Sequence, residues 1–279
     1  MGGLGNQLFQ IFATIAYGMN HNCEVVFEYT TDLRSGIKRY TFWDSFLSSL
    51  QKYTTKNSNH SLVQPYLNNF PVYNEPHFHY IEVPYQDNIE YLSLKGYFQS
   101  YKYFVSYWDE IQTLISLDTK QQKTREKYCD VLNNYYNISM HFRVGDYADK
   151  PNFHPIMKED YYNKCIDRIT TYTDKTNIQV IYFYEEDDED CVRPIISSLE
   201  MKFPDITFTG VDHDISDWEQ LLLMSCCHSN IIANSTFSWW AAYMNNEKDK
   251  MVCYPTNWFG ESLSTHNTAD LFPNEWIEI

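Results

Sequence analysis

HFRVGDY, residues 141–147, is the stretch on which the reading of this chain turns. It follows the apolar run Tyr135–Met140 and sets His141, Arg143 and Asp146 where a buried strand should run out. In open α/β sheets, ligands bind in the crevice beyond the carboxyl ends of the strands. Three polar residues leaving one strand end together therefore mark a candidate site, with an Arg–Asp ion pair closing the strand as the plainer alternative. Around this stretch the pattern is regular. Strand-like runs occupy 136–143, 178–184, 205–209, 229–233 and 251–254, and helix-like runs lie between them at about 158–172, 192–202, 216–227 and 237–246. Such alternation implies an α/β chain with a doubly wound parallel sheet. Pro194 falls where a first helical turn tolerates it.

Two further stretches share the same logic. ANSTFSWWAAYMNN, residues 233–246, places Ser235 and Thr236 between a buried strand and a helix, where their side chains cap the helix and leave backbone donors beside them. A phosphate fits there, and so does the simpler reading that they only cap while Phe237, Trp239 and Trp240 pack the core. At the other end of the chain, MGGLGNQLFQIFATIAYGMN carries Leu8, Phe9, Phe12, Ile15, Ala16 and Met19 at helical spacing, predicting a helix over 6–20. Gly2, Gly3 and Gly5 lead into it with a flexible backbone, an anion-binding geometry that the helix dipole strengthens. It is not the GxGxxG fingerprint. A strand would ordinarily feed such a loop, and none precedes it here. Cys23–Tyr29 reads as the next strand, and 120–135 as a helix.

Composition limits the partners. The chain has 279 residues and a formal charge of −16, from 21 basic and 37 acidic residues. That argues against nucleic acid, which needs a net basic face. EEDDED, residues 185–190, holds much of the excess and reads as a solvated loop. No apolar run reaches the roughly 18 residues that suggest a membrane span, and no signal peptide is evident. The expectation is a soluble, cytoplasmic protein. The 7 cysteines are odd in number and form no CxxC, which fits reduced thiols better than disulfides or a zinc site.

GGLGNQLFQ (2–10), GYFQSYKYF (96–104), HFRVGDY (141–147), LLLMSCCHSNIIANSTFSWWAAY (221–243) and YPTNWFG (254–260) occur in that order. Taken together they resemble the α-1,2-fucosyltransferases of glycosyltransferase family eleven. The resemblance implies a GT-B-like fold, with two Rossmann-like lobes and a nucleotide-sugar cleft between them. Residues 1–130 would be the acceptor-side lobe and 131–279 the GDP-sugar-binding lobe. It also implies a GDP-fucose donor, a galactose-terminated glycan acceptor, inversion at the transferred sugar, and no metal or other cofactor. By position, Arg143 would hold the β-phosphate, with His141 on the nucleotide side and Asp146 orienting the cluster. Ser235, Thr236 and Phe237 would meet the phosphates. Asn6, with Gly3 and Gly5, would face the donor from the other lobe, and Glu219 would reach guanine. Val144 departs from the family's HxRRxD pattern and removes any role of a second Arg.

Several readings stay open at this stage. Asp146, Asp149, Glu28 and Asp32 are candidate general bases. Asp212-His213-Asp214 and Asp188-Glu189-Asp190 both fit the DxD string of a metal-dependent transferase. A non-catalytic GDP-sugar- or glycan-binding relative is the rival from another class. The aromatic stretch Tyr97–Trp108 suits either sugar stacking or core packing, and acceptor choice is expected to lie in 30–100.

Overall fold

The structure, a computed structural model, describes residues 2–33 and 38–279. It divides into two units. The first runs through Asp118 and takes back His266–Pro273; the second holds Thr119–Thr265 and Asn274–Ile279. The division therefore comes ahead of residue 130, and a late segment returns to the first unit.

In unit 1 the helical spacing becomes α1 (Leu4–His21), with Leu8, Phe9, Phe12, Ile15 and Ala16 all buried. Beyond the single turn α2 (Ser58–Ser61) lies α3 (Trp108–Leu114). Phe9 packs on Phe104 at 6.0 Å between ring centroids, and Phe12 on Trp108 at 6.1 Å. α1 ends at Asn22, whose φ of 52° turns its N–H back onto the carbonyls of Gly18 and Met19. Gly18 is required there, because a Cβ would run into Val25. The expected strand 23–29 does not form: Phe27 makes one isolated bridge to Thr54. A β-prone run needs a neighbour to supply its ladder, and the rest of this one finds none. The strands of unit 1 are short, β1 (Asp32–Leu33) antiparallel to β2 (Arg39–Tyr40) and β3 (Val72–Asn74) parallel to β4 (Ser93–Lys95). Met1 and residues 34–37, the latter within the stretch expected to govern acceptor choice, lie outside the described residues.

Unit 2 opens within α4 (Leu117–Lys127) and continues through α5 (Cys129–Leu132), which together replace the single helix expected over 120–135. Its sheet contains β5 (Tyr136–His141), β6 (Ile178–Phe183), β7 (Ile206–Gly210), β8 (Ser229–Ile231), β9 (Val252–Tyr254) and β10 (Ile277–Glu278). All pairings are parallel, in the order β10-β9-β8-β5-β6-β7. Counted from β5 this is the 3-2-1-4-5-6 order of the dinucleotide-binding folds, which reverses between β5 and β8. The intervening helices are α6 (Glu159–Tyr172), α7 (Glu189–Lys202), α8 (Asp217–Ser225) and α9 (Thr236–Met244). Pro194 lies inside α7 rather than in its first turn, because the helix starts at Glu189. The carbonyl its missing N–H leaves unbonded belongs to Asp190, an exposed residue.

Strand parity sorts the side chains. Ile138, Met140 and Phe142 join Tyr162, Ile166 and Ile196 of α6 and α7 in one core. Asn137, Ser139 and His141 therefore face the other side. There Asn230 of β8, fully buried, donates to Ser139 Oγ (2.7 Å) and to the Met224 carbonyl (3.0 Å), and accepts from Asn245 (2.8 Å). Trp239 and Trp240 are likewise buried, in edge-on contact at 5.0 Å, so they are core residues. Among the described residues no helix is long and apolar enough to cross a membrane.

Asn230→Ala strands three buried polar groups and is expected to cost about 2–4 kcal/mol of unfolding free energy. Denaturant titration of the unit 2 transition measures it, and a loss below about 1 kcal/mol would contradict the assigned network.

Candidate active site

At the carboxyl end of β5 the structure shows the Arg–Asp ion pair named as the plainer reading of HFRVGDY, with a second carboxylate added to it. The chain leaves the sheet at His141, returns Phe142 to the core against Tyr162 (4.3 Å between centroids), and then projects Arg143. The Arg143 guanidinium is paired with the carboxylates of Asp146 and Glu185. It also lies over the Tyr147 ring at 5.2 Å. The arginine is about one-fifth exposed, so its charge is partly desolvated. Burial works against that charge, but Glu185 and Asp146 outweigh it and push the guanidinium pKa above its ordinary value. Tyr147 is fixed in turn, donating to the Asn234 carbonyl (3.1 Å) and stacking on His154 (4.5 Å).

The turn after Arg143 has its own anchor. Gly145 has a φ of +25°, and its N–H donates to both oxygens of Asp188 (2.9 and 3.0 Å). Asp188 is 6% exposed. The acidic run 185–190 is thus not wholly a solvated loop: Glu185, Glu186 and Asp187 are exposed, while Asp188 is spent holding the Gly145 turn. In the Asp188-Glu189-Asp190 string, Asp188 holds that turn and Glu189 is bonded by Tyr184 and Arg193, while Asp190 is exposed.

β8 delivers the second wall. After Ile231 the chain passes buried Asn234, whose amide donates to the Pro155 (2.9 Å) and Trp258 (3.2 Å) carbonyls. Ser235 then caps α9, its hydroxyl accepting from the Phe237 N–H (3.3 Å). The segment after β5 reaches this helix start through two contacts, His141 to Ser238 (3.0 Å) and Tyr147 to the Asn234 carbonyl (3.1 Å). Thr236 and Phe237 are half-buried at that helix start. Val144 is buried and apolar, part of the core rather than of the wall.

His141 links the two walls. Its Nδ1 lies 3.0 Å from Ser238 Oγ, and its ring packs against Phe237 at 5.6 Å. The Ser238 hydroxyl also lies 3.4 Å from the Ser235 carbonyl, so one side chain joins the histidine to the helix cap. Burial, followed by the neighbouring Arg143 charge, lowers the imidazole pKa to about 3. His141 is therefore a neutral hydrogen-bonding group at physiological pH.

The remaining expected residues lie elsewhere. In unit 1, Gly3 is the N-cap of α1 without a side-chain cap, and Gly5 is buried in the first turn. Asn6 Oδ1 accepts from Gln99 (2.9 Å), and Gly2, at φ +84°, sits against Asn6 so closely that a Cβ would run into it. Glu219, on α8, is held by Lys127, by Ser216 (2.8 Å) and by Tyr128 (3.4 Å), a set of neighbours separate from those of Arg143. Burial opposes its charge, but the Lys127 and Ser216 hydrogen bonds prevail and lower its pKa. The sequence reading missed Glu185, Asp188, Tyr147 and Gln99. Glu185 had a usable signal, because it follows β6, the parallel neighbour of β5, at the same sheet edge.

A six-stranded parallel sheet reversing between β5 and β8, with an arginine and a helix N-terminus at the reversal, has the Rossmann-like topology of the GT-B-like glycosyltransferases. The chain belongs to Glycosyl transferase family 11, whose sequence model matches residues 44–279. It is 28% identical to an Escherichia coli alpha-1,2-colitosyltransferase, over all of this chain and 96% of that protein. It is 32% identical to the Escherichia coli O-antigen biosynthesis glycosyltransferase WbnK, over 53% of this chain and 46% of that protein. Among solved structures, POFUT1 in complex with GDP-fucose superposes with a TM-score of 0.50 at 11% identity, covering 91% of this chain and 95% of that one. POFUT1 in complex with GDP gives the same score at 10% identity. At such identities the likeness concerns the fold.

Since the folded imidazole titrates near 3 and an unfolded one near 6.5, burial of His141 costs no stability above pH 6.5 and progressively more as pH falls toward 3. Nitrogen NMR of the labelled ring is expected to show a neutral imidazole still at pH 5. An imidazolium signal at pH 5–6 would contradict the burial assigned here.

Proposed function

We propose that this protein transfers fucose from GDP-fucose to a galactose hydroxyl of a glycan acceptor, forming an α-1,2 linkage with inversion. The observation that carries the reading is Arg143 at the switch point of the sheet, beside the capped N-terminus of α9, in a chain of this family. As the acceptor oxygen attacks the anomeric carbon, the bond to GDP breaks and negative charge grows on the β-phosphate. A guanidinium offers that phosphate a planar pair of donors, and the first-turn amides of α9 add dipolar stabilisation. Donors placed in advance where charge develops are usually the largest catalytic contribution. They give this mechanism a metal-free way to stabilise the leaving group.

Arg143 is engaged by Glu185 and Asp146. Those carboxylates hold the guanidinium in position and must yield at least one of its edges to the diphosphate. His141, buried and neutral, is suited to a hydrogen bond with the nucleotide, not to proton transfer.

One specific observation favours a second donor. The relative matched over the whole chain is named an alpha-1,2-colitosyltransferase, so a colitosyl donor is the alternative, with the same linkage and the same phosphate chemistry. Turnover with each GDP-sugar separates the two.

Arg143→Ala is expected to lower transfer about 100- to 1,000-fold, the loss seen when one preorganised donor to a developing charge is removed. Steady-state rates with GDP-fucose measure it, with circular dichroism to verify the fold. A variant within threefold of the parent rate would refute the role.

A further inference from the structure

Unit 1 contains a cavity that the donor chemistry does not use. It has a volume of about 200 Å3 and is lined along one side by the C-terminal half of α1. At 1.5 Å per residue, Ala13 to His21 lie roughly 10–22 Å along the helix axis from Asn6. The cavity is therefore well removed from the glycine-rich turn at the start of α1.

Its walls include five aromatic rings, those of Tyr17, Tyr80, Phe98, Tyr103 and Tyr107. They are fixed before any ligand arrives. Tyr103 meets Tyr80 edge-on at 4.8 Å and Phe98 at 5.2 Å, and accepts at its hydroxyl from the Ile81 N–H (3.3 Å). Tyr107 donates to Asn20 Oδ1 (3.0 Å). Phe98 adopts φ +53°, a backbone conformation that costs a bulky residue energy. The Glu75 carboxylate holds it there, accepting from the N–H groups of Tyr97 (2.7 Å) and Phe98 (3.0 Å). Glu75 is mostly buried, and burial raises its pKa despite those bonds. A partly desolvated carboxylate maintaining a strained aromatic turn is costly for a wall that merely fills space.

The polar groups at the same cavity narrow the ligand. Asn20, Glu82, Ser106 and the tyrosine hydroxyls offer neutral and acceptor groups, and Lys102 is already paired with Asp270. That disfavours a phosphate or a carboxylate, as does the net charge of −16. Flat aromatic faces beside planar amide and carboxylate groups suit the C–H faces and hydroxyls of a neutral pyranose.

We propose that this cavity is a saccharide-binding site, taking one neutral sugar residue of the acceptor glycan away from the residue that is modified. The acceptor identity rests on the transferase reading above; the cavity's ligand class does not. GYFQSYKYF, which supplies Phe98, Lys102 and Tyr103, then serves acceptor recognition.

Ser106 is exposed at the cavity, so Ser106→Trp fills it without touching the core. Tyr107→Ala removes a platform instead. The test compares methyl β-galactoside with a galactose-terminated tetrasaccharide on the full chain, by saturation-transfer NMR and by KM. In the parent, inner residues of the tetrasaccharide should receive saturation. Both variants should lose it and raise the tetrasaccharide KM at least tenfold, leaving GDP affinity and the methyl β-galactoside KM unchanged. Unchanged saturation and KM in both variants would overturn the proposal, as would displacement of the tetrasaccharide's inner residues by GDP alone. If the inner residues bind and Ser106→Trp abolishes binding, yet no sugar is transferred, the cavity assignment stands and the transferase reading falls.

Discussion

The parallel pairing of β5 with β8 is the contact on which the rest of unit 2 depends. It is where the strand order reverses, so loops leaving the two strands turn to opposite sides and a crevice opens between them. The register is pinned by polar side chains rather than by apolar ones. Ser229 Oγ lies 2.7 Å from the Tyr136 hydroxyl, Asn230 bonds Ser139, and the His228 ring accepts from the Asn137 N–H (2.9 Å). A slip of one residue would turn His141 into the α6 core and bring Phe142 out toward α9. Hydrophobic burial alone penalises such a slip less sharply than these buried bonds do, because unmade they leave several groups unsatisfied.

That register decides the electrostatics of the site. The end of β5 presents a guanidinium whose neighbours are an aromatic face and two carboxylates, and β6, one strand over, supplies the second carboxylate. The arrangement keeps a partly buried cation compensated without a ligand. Under the proposed transfer the same pairing would allow an exchange, because a diphosphate brings more negative charge and better fork geometry than either carboxylate. Asp188 plays a different part. Its two hydrogen bonds to one backbone N–H fix the Gly145 turn, so that the exchange at Arg143 need not disturb the loop that carries it.

Much of this was legible in the sequence, and the reasons differ by element. The alternation of unit 2 was plain because its central strands β5, β6 and β8 are buried on both faces and read as near-continuous apolar runs between helical periods. The 229–233 strand proved shorter, and β10 went unseen, since two residues at a sheet edge have no period to detect. Cys23–Tyr29 misled because propensity names a conformation and not a partner. HFRVGDY could be placed at a strand end, but Glu185 lies 42 residues further on and meets Arg143 only through sheet order. Asp188 shows the same limit from the other side: an acidic run reads as solvent-facing until one member is needed by a backbone N–H. Unit 1 was least legible, because its walls are set by aromatic contacts over long separations and by one strained turn.

The most direct measurement is a crystal structure of the full chain with GDP bound. The account predicts the β-phosphate within hydrogen-bond distance of the Arg143 guanidinium and of the first-turn amides of α9, with the Glu185 carboxylate moved off that arginine. GDP bound elsewhere, or Arg143 still closed on both Glu185 and Asp146 with nucleotide present, would contradict it.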